Sequence, residues 1–279
     1  VSGGLDGHVA LVTGVARGQG RSHAIRLAEL GADIIGVDIC ADIPTMDYPN
    51  ASESELDETR GLVEAQGRRM LTVVADVRDP LAMKQAVDNG VAEFGRLDIV
   101  LANAGIHRYA PEPDFETGFE IWSDIIGTNL SGVFNSVKPA IPHLIEGGRG
   151  GSIVITGSVG GLKPSRSLGS SQLAYQASKG ALQTLSRALA VSLAPHKIRV
   201  NIVNPTGVIS GMTQNEALRK LHEEAGRGDE NVVSSMVNAM PVSMLEPIDV
   251  TRAIEYLVTD AGRYVTGIPI TVDAGFCVS

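Results

Sequence analysis

His8-Val9-Ala10-Leu11-Val12-Thr13-Gly14-Val15-Ala16-Arg17-Gly18-Gln19-Gly20 is the stretch whose reading decides the fold. An apolar run of strand length ends at Thr13, glycines follow at Gly14, Gly18 and Gly20, and a helical pattern runs from Arg21 to Leu30. Strand, glycine-rich turn and helix in that order let backbone approach a pyrophosphate closely while helix N–H groups receive it. Gly14, Arg17, Gly18, Gln19 and Gly20 are therefore candidate cofactor contacts. The same glycines without a strand before them would read as a flexible turn.

Working outward, further strand-like runs lie at Asp33 to Val37, Met70 to Ala75, Leu97 to Ala102, Ser152 to Thr156, Arg199 to Val203 and Pro269 to Val272, which with the first makes seven. Ile99-Val100-Leu101 and Ile153-Val154-Ile155 are continuously apolar, as a parallel strand covered on both faces requires. Between the strands, helical stretches at Arg21 to Leu30 and Leu81 to Phe94 stop at Gly31 and Gly95, glycines suited to the left-handed position after a helix. The expected class is α/β: a Rossmann-type doubly wound parallel sheet of seven strands with helices on both faces. No Pro/Ser-rich or low-complexity linker divides residues 1–279, so a single domain is expected.

Two stretches exceed the minimal alternation, an insertion at about 41–59 and a segment at about 211–240. Extra segments at strand ends are where a substrate pocket or lid is built.

Asp38 ends the second strand, 18 positions beyond Gly20. There a carboxylate can accept hydrogen bonds from adenosine ribose hydroxyls, whereas a 2'-phosphate would face like charge, so the sequence favours NAD over NADP. Arg17 argues the other way, since a guanidinium beside the glycine loop could receive that phosphate.

Composition narrows the partners. The formal charge is -9 with acidic residues spread along the chain, which would repel nucleic acid. Cys40 and Cys277 are the two cysteines, far apart and without metal-ligand spacing, so neither a disulfide framework nor a metal site is expected. No apolar run approaches the ~18 residues that span a bilayer, and no charged-then-apolar leader precedes the first strand. A cytoplasmic location follows as the expectation.

Tyr175-Gln176-Ala177-Ser178-Lys179 opens a helical stretch running to about Leu193, with positions i and i+4 on one face. A tyrosine titrating near ~10 is a poor base at neutral pH, but a neighbouring cation stabilises its phenolate. Lys179 can supply that cation, and an oxidised nicotinamide another. Taken alone, such a pair also reads as exposed helix residues of little energetic worth.

The pair has company. Thr13-Gly14-x-x-x-Gly18-x-Gly20, Asp76-Val77, Asn103-Ala104-Gly105, Asn129, Ser158 and Tyr175-x-x-x-Lys179 together resemble the short-chain dehydrogenase/reductase family over essentially the whole chain. The resemblance implies that Ser158 orients the substrate oxygen and Tyr175 exchanges the proton. Lys179 would bind the nicotinamide ribose and lower the tyrosine pKa, while Asn129 would hold a water linking Lys179 to solvent. Hydride transfer belongs to the cofactor. Asp76 and Val77 should flank the adenine, and Asn103, Ala104 and Gly105 should line the cofactor cleft. Pro205, Val208 and Ser210 resemble the family's carboxamide-binding segment, although Thr206 stands where glycine is usual. The interval from Ser158 to Tyr175 is also a few residues longer than usual, which would reshape one pocket wall.

Asp38-Ile39-Cys40-Ala41 and the polar insertion through Tyr48-Pro49 are similar to the actinobacterial carveol-dehydrogenase-like, mycofactocin-coupled branch of that family. This similarity implies an insertion at the adenosine end of the cleft, NAD retained between turnovers, and electrons passed to an external redox carrier. It also implies a homo-oligomer, with a tetramer favoured, built through the two long central helices and the last strand.

The expected activity is reversible oxidation of a secondary alcohol to a ketone with NAD. Apolar residues between Gly211 and Met240 favour a small hydrophobic or terpenoid-like substrate. An NADP-dependent carbonyl or 3-oxoacyl reductase is one alternative, and a non-catalytic NAD-binding redox sensor is another. His107 and Tyr109 could face the substrate or simply pack; Trp122 is expected to pack, and His23 and His143 lack metal-ligand partners. Met212, Met236, Met240 and Met244 fit either an adaptable pocket wall or core.

Overall fold

The computed structural model describes residues 4–225 and 238–279. Seven parallel strands form one sheet: β1 (Val9–Thr13), β2 (Asp33–Asp38), β3 (Met70–Val74), β4 (Ile99–Ala102), β5 (Gly151–Thr156), β6 (Ile198–Pro205) and β7 (Pro269–Val272). Their spatial order is β3-β2-β1-β4-β5-β6-β7, so chain direction across the sheet reverses between β1 and β4. Every residue of β1, β2 and β4 is buried, as their continuous apolar runs require. β7 alternates exposed and half-buried residues and opens with a proline, the pattern of an edge strand.

Two core layers follow the two-residue period of the strands. Ala10, Val12, Ile34, Ile99 and Leu101 face one layer, completed by Ala24 and Leu27 of α1 (Gly18–Glu29), Leu56 and Val63 of α2 (Glu53–Glu64) and Ile254 and Leu257 of α9 (Pro247–Val258). Val9, Leu11, Ile35, Val37 and Val100 face the other. There they meet Met83 and Val87 of α3 (Pro80–Phe94), Val133 of α5 (Gly132–Val137), Leu144 of α6 (Ala140–Gly147) and Leu182 of α7 (Ser170–Leu193). The expected doubly wound architecture is therefore the one observed.

Three boundaries differ from expectation. α2 begins at Glu53, where Ser52 and Glu55 form a capping box, so the insertion is a strap of about residues 39–52 and not a loop to Thr59. α7 begins at Ser170, which puts Tyr175 in its second turn instead of at its start. Asn129 lies in a π-helical segment, Gly127–Ser131, joining α4 (Phe115–Ile126) to α5.

Of the 211–240 segment, the described part includes α8 (Glu216–Ala225). A cavity of about 690 Å³ opens along it, lined by Gln214, Glu216, Leu218, Arg219, Glu223 and Met244 among others. Most of its lining side chains are polar or charged, with Leu218 and Met244 the apolar members. Met240 is exposed, Met212 and Met244 are half-buried, and Met236 lies outside the described residues.

Candidate active site

The crevice between the C-terminal ends of β1 and β4 is a topological switch point, where doubly wound sheets bind ligands. Thr13 fixes its floor. Its hydroxyl accepts from the backbone N–H groups of Asn103 at 3.0 Å and Ala104 at 3.1 Å, and its carbonyl accepts from Asn103 Nδ2 at 3.0 Å. A Cβ on Gly14 would stand 2.9 Å from Ala104 Cα, and one on Gly20 would collide with the Gly14 carbonyl, so both positions require glycine. α1 starts at Gly18 with no side-chain cap, leaving first-turn N–H groups for an outside acceptor. Gln19 Oε1, in that same turn, is buried without a partner.

Asp38 sits beside this loop with Oδ2 accepting from Ala16 N at 2.9 Å. Burial pushes its carboxyl pKa up, against the N–H groups that favour the ionised form. Arg17 does not offer a free guanidinium. Nη2 donates to the Pro49 carbonyl at 2.6 Å, Nη1 lies 3.9 Å from Glu55, and the group rests against Gly211. It ties the strap to the segment after β6.

Asp76 pairs with Arg78, whose Nη1 continues to Asp124, which accepts from the Thr45 hydroxyl of the strap. Val77 is buried against Gly132 at the start of α5. The strap is fastened again on its far side: Asp47 Oδ2 accepts from Tyr109 N at 2.9 Å and from Ala110 N, and the Tyr48 hydroxyl accepts from His107 N at 3.3 Å. The insertion thus crosses from the end of β2 to the loop after β4, instead of lying at the adenosine end alone.

At that loop four expected residues converge. A Cβ on Gly105 would lie 3.3 Å from Asn129 Oδ1 and 3.5 Å from Lys179 Nζ. Lys179 is buried, donates to the Thr156 carbonyl at 2.8 Å, and holds Nζ 5.8 Å from the Tyr175 ring centroid. Tyr175 and Ser158 meet over Gly160, where an added Cβ would lie 3.2 Å from the Tyr175 ring and 3.4 Å from Ser158 Oγ, and that Oγ accepts from Gly160 N at 3.0 Å.

Burial pushes the Lys179 ammonium down to about 8. In the protein alone burial also pushes the Tyr175 phenol up, with the Ser158 hydrogen bond opposing it.

The Asn129 amide is used twice by Ile106, accepting from N at 2.8 Å and donating to O at 2.9 Å.

Beyond β6, Pro205 is the last strand residue, and Ser210 abuts the glycine loop, since a Cβ on Gly18 would be 3.3 Å from Ser210 Cβ. The Val208 carbonyl accepts from the Thr213 hydroxyl at 2.5 Å. Thr206 uses its hydroxyl to hold Asn238 at 3.2 Å. In the longer interval before Tyr175, Lys163 reaches the carbonyls of Phe276 and Ser279 at 3.1 and 2.7 Å.

Asn204 was not singled out from sequence. Buried at the end of β6, its Oδ1 accepts from Ser158 N at 3.1 Å and Gln183 Nε2 at 2.8 Å, and so positions the serine. An asparagine following the apolar Ile202-Val203 pair just before the strand-ending Pro205 was the available signal.

Fold and site together define a dinucleotide-binding oxidoreductase framework with a Ser-Tyr-Lys cluster at its switch point. The chain belongs to the short-chain dehydrogenase family, whose sequence profile matches residues 8–220. It is 48% identical over 280 residues to a putative short-chain type dehydrogenase/reductase of Mycolicibacterium smegmatis, covering 99% of each chain. It is 45% identical over 276 residues to the (-)-trans-carveol dehydrogenase of Rhodococcus erythropolis, covering 97% of this chain and 98% of that one. The crystal structure of carveol dehydrogenase from Mycobacterium avium in complex with NAD superposes with a TM-score of 0.90 at 43% identity, covering 99% of both chains.

Proposed function

We propose that this protein is an NAD-dependent oxidoreductase interconverting a secondary alcohol and a ketone, on a small hydrophobic or terpenoid-like substrate. The observation that carries the reading is the convergence of Lys179 and Asn129 on Gly105 beside Tyr175 and Ser158, which meet over Gly160. The framework fits a dinucleotide. Uncapped N–H groups at Gly18, Gln19 and Gly20, the close approach at Gly14, and the orphaned Gln19 Oε1 provide for a pyrophosphate and its neighbours.

Asp38 would hold the adenosine ribose, and Asp76 and Val77 would border the adenine. Asn103, Ala104 and Gly105 would line the cleft, and Pro205, Val208 and Ser210 would meet the carboxamide. Arg17 is already engaged with Pro49, which favours NAD over the NADP alternative.

NAD, when bound, supplies the hydride acceptor, and its positive nicotinamide favours the ionised tyrosine. Ser158 orients the alcohol oxygen. Tyr175 takes the hydroxyl proton during oxidation and returns it during reduction. Lys179 binds the nicotinamide ribose and contributes charge that stabilises the phenolate. Asn129 keeps the Gly105–Ile106 backbone in place, and within its π-helical turn it would hold a water that serves Lys179.

The strap's fastenings at Pro49, Tyr48, Asp47 and Thr45 support retention of NAD between turnovers and re-oxidation by an external redox carrier, as in a mycofactocin-coupled enzyme. Exposed Phe115, Phe119 and Trp122 on α4, with Leu173 and Val191 on α7, support a homo-oligomer, with a tetramer favoured. Two free thiols fit a cytoplasmic setting, and among the described residues no helix is long and apolar enough to cross a membrane.

An alcohol panel assayed with added NAD and, separately, with an artificial electron acceptor tests the reading. Ketone formation supports it, and formation with the acceptor alone supports retention. No ketone from any secondary alcohol under either condition overturns it in favour of the sensor alternative.

A further inference from the structure

The loop after β4 carries a feature that the reaction leaves unused. His107 is 7% exposed, and its ring is wedged edge-on between Tyr109 and Tyr175, 4.6 Å from each centroid. Its Nε2 lies 3.0 Å from Gln172 Oε1. A carbonyl oxygen only accepts, so Nε2 carries the hydrogen and Nδ1 presents a lone pair. That Nδ1 is buried and has no partner. Burial holds the imidazole pKa down to about 4, so at neutral pH Nδ1 does not satisfy itself by taking a proton.

A second buried acceptor lies on the adjoining strap. Asp47 Oδ1 has no partner, although Oδ2 accepts from Tyr109 and Ala110 and its charge reaches His107. Two buried acceptors without donors therefore lie on this wall, His107 Nδ1 on a ring packed against Tyr175 and Asp47 Oδ1 on the strap beside Tyr109. Buried polar atoms are rarely left unpaired, and a site built to bond a substrate hydroxyl rejects the analogue that lacks it. A monoalcohol spends its one O–H on Tyr175 and Ser158, leaving none for this wall.

We propose that His107 is a specificity residue, with Nδ1 accepting a hydrogen bond from a second hydroxyl of the substrate, borne close to the carbinol carbon that is oxidised. The substrate class is accordingly a largely apolar diol or hydroxy ketone. This rests on the oxidoreductase reading above.

The test compares kcat/KM for cyclohexanol and trans-cyclohexane-1,2-diol, with the artificial acceptor present, in the wild type, His107→Phe and His107→Asn. The wild type is expected to prefer the diol by about tenfold or more. His107→Phe keeps the ring packing and should bring the ratio close to one, with cyclohexanol turnover little changed. His107→Asn keeps an acceptor near the Nδ1 position and should restore part of the preference.

An unchanged ratio in His107→Phe overturns the proposal, as does a wild type that does not favour the diol. Equal loss on both alcohols marks a packing role and overturns it too. Should His107→Phe not fold, the wild-type ratio and His107→Asn decide. Failure of the oxidoreductase reading looks different, with the wild type giving no ketone from either compound or from the wider panel.

Discussion

Arg17 Nη2 and the Pro49 carbonyl are joined at 2.6 Å, so a residue of the glycine loop holds the later part of a strap that also reaches the loop after β4. A hydrogen bond from a charged donor contributes roughly 1.5–3 kcal/mol. Arg17→Ala should therefore lower stability modestly and let the strap open. Bound nicotinamide remaining after dialysis should fall, and NAD release followed by stopped-flow fluorescence should quicken by about tenfold. Unchanged release would leave the strap without a part in retention.

Tyr175→Phe removes the phenol hydroxyl while leaving the ring against His107. Positioned acid/base groups contribute about 10²–10⁴ in rate, and kcat should fall within that range. NADH binding, read by fluorescence, should stay within about twofold, because no cofactor contact beyond the phenol is removed. Appreciable turnover in Tyr175→Phe would assign the proton transfer elsewhere.

Asn204→Ala leaves both Ser158 N and Gln183 Nε2 without their acceptor inside the core. An unsatisfied buried donor costs about 1–3 kcal/mol, so the denaturation midpoint should drop. Ser158 should also lose its position, lowering kcat more than it alters KM. A stability loss with unchanged kcat would confine Asn204 to a packing role.

Much of this architecture was legible because parallel strands buried on both faces announce themselves as apolar runs, and Ile99-Val100-Leu101 and Ile153-Val154-Ile155 are such runs. Gly31 and Gly95 both take positive φ after their helices, as expected. The start of α2 was not legible: Ser52-x-x-Glu55 fits a capping box, but the acidic stretch around it reads equally as a solvated loop until the capping bonds are seen. What the sequence could not carry was the partner of each polar group. Arg17 is as plausible a phosphate ligand as a strap anchor until Pro49 is placed beside it, 32 residues away in sequence. The same holds for Asn129, whose amide faces Ile106, 23 residues away. Long-range hydrogen bonds leave no local periodicity to read.

Lys179 gives the clearest pH signature. Burial lowers its pKa from 10.5 to about 8 in the folded protein. Between those values the unfolded chain holds a proton that the folded chain has released, so stability rises with pH across roughly 8 to 10.5. Below pH 8 both states are charged, and the cost of burying the ammonium is fully present. The shift corresponds to about 3 kcal/mol. Lys179→Met removes the titrating group, so the difference between wild-type and variant unfolding free energies should shrink by that order as pH is raised from 7 to 10. Urea denaturation of the cofactor-free proteins measures it directly. A pH-independent difference would mean that the folded Lys179 titrates like an exposed lysine, and that the Thr156 carbonyl and the cleft do not hold it in the environment that its position beside Tyr175 implies.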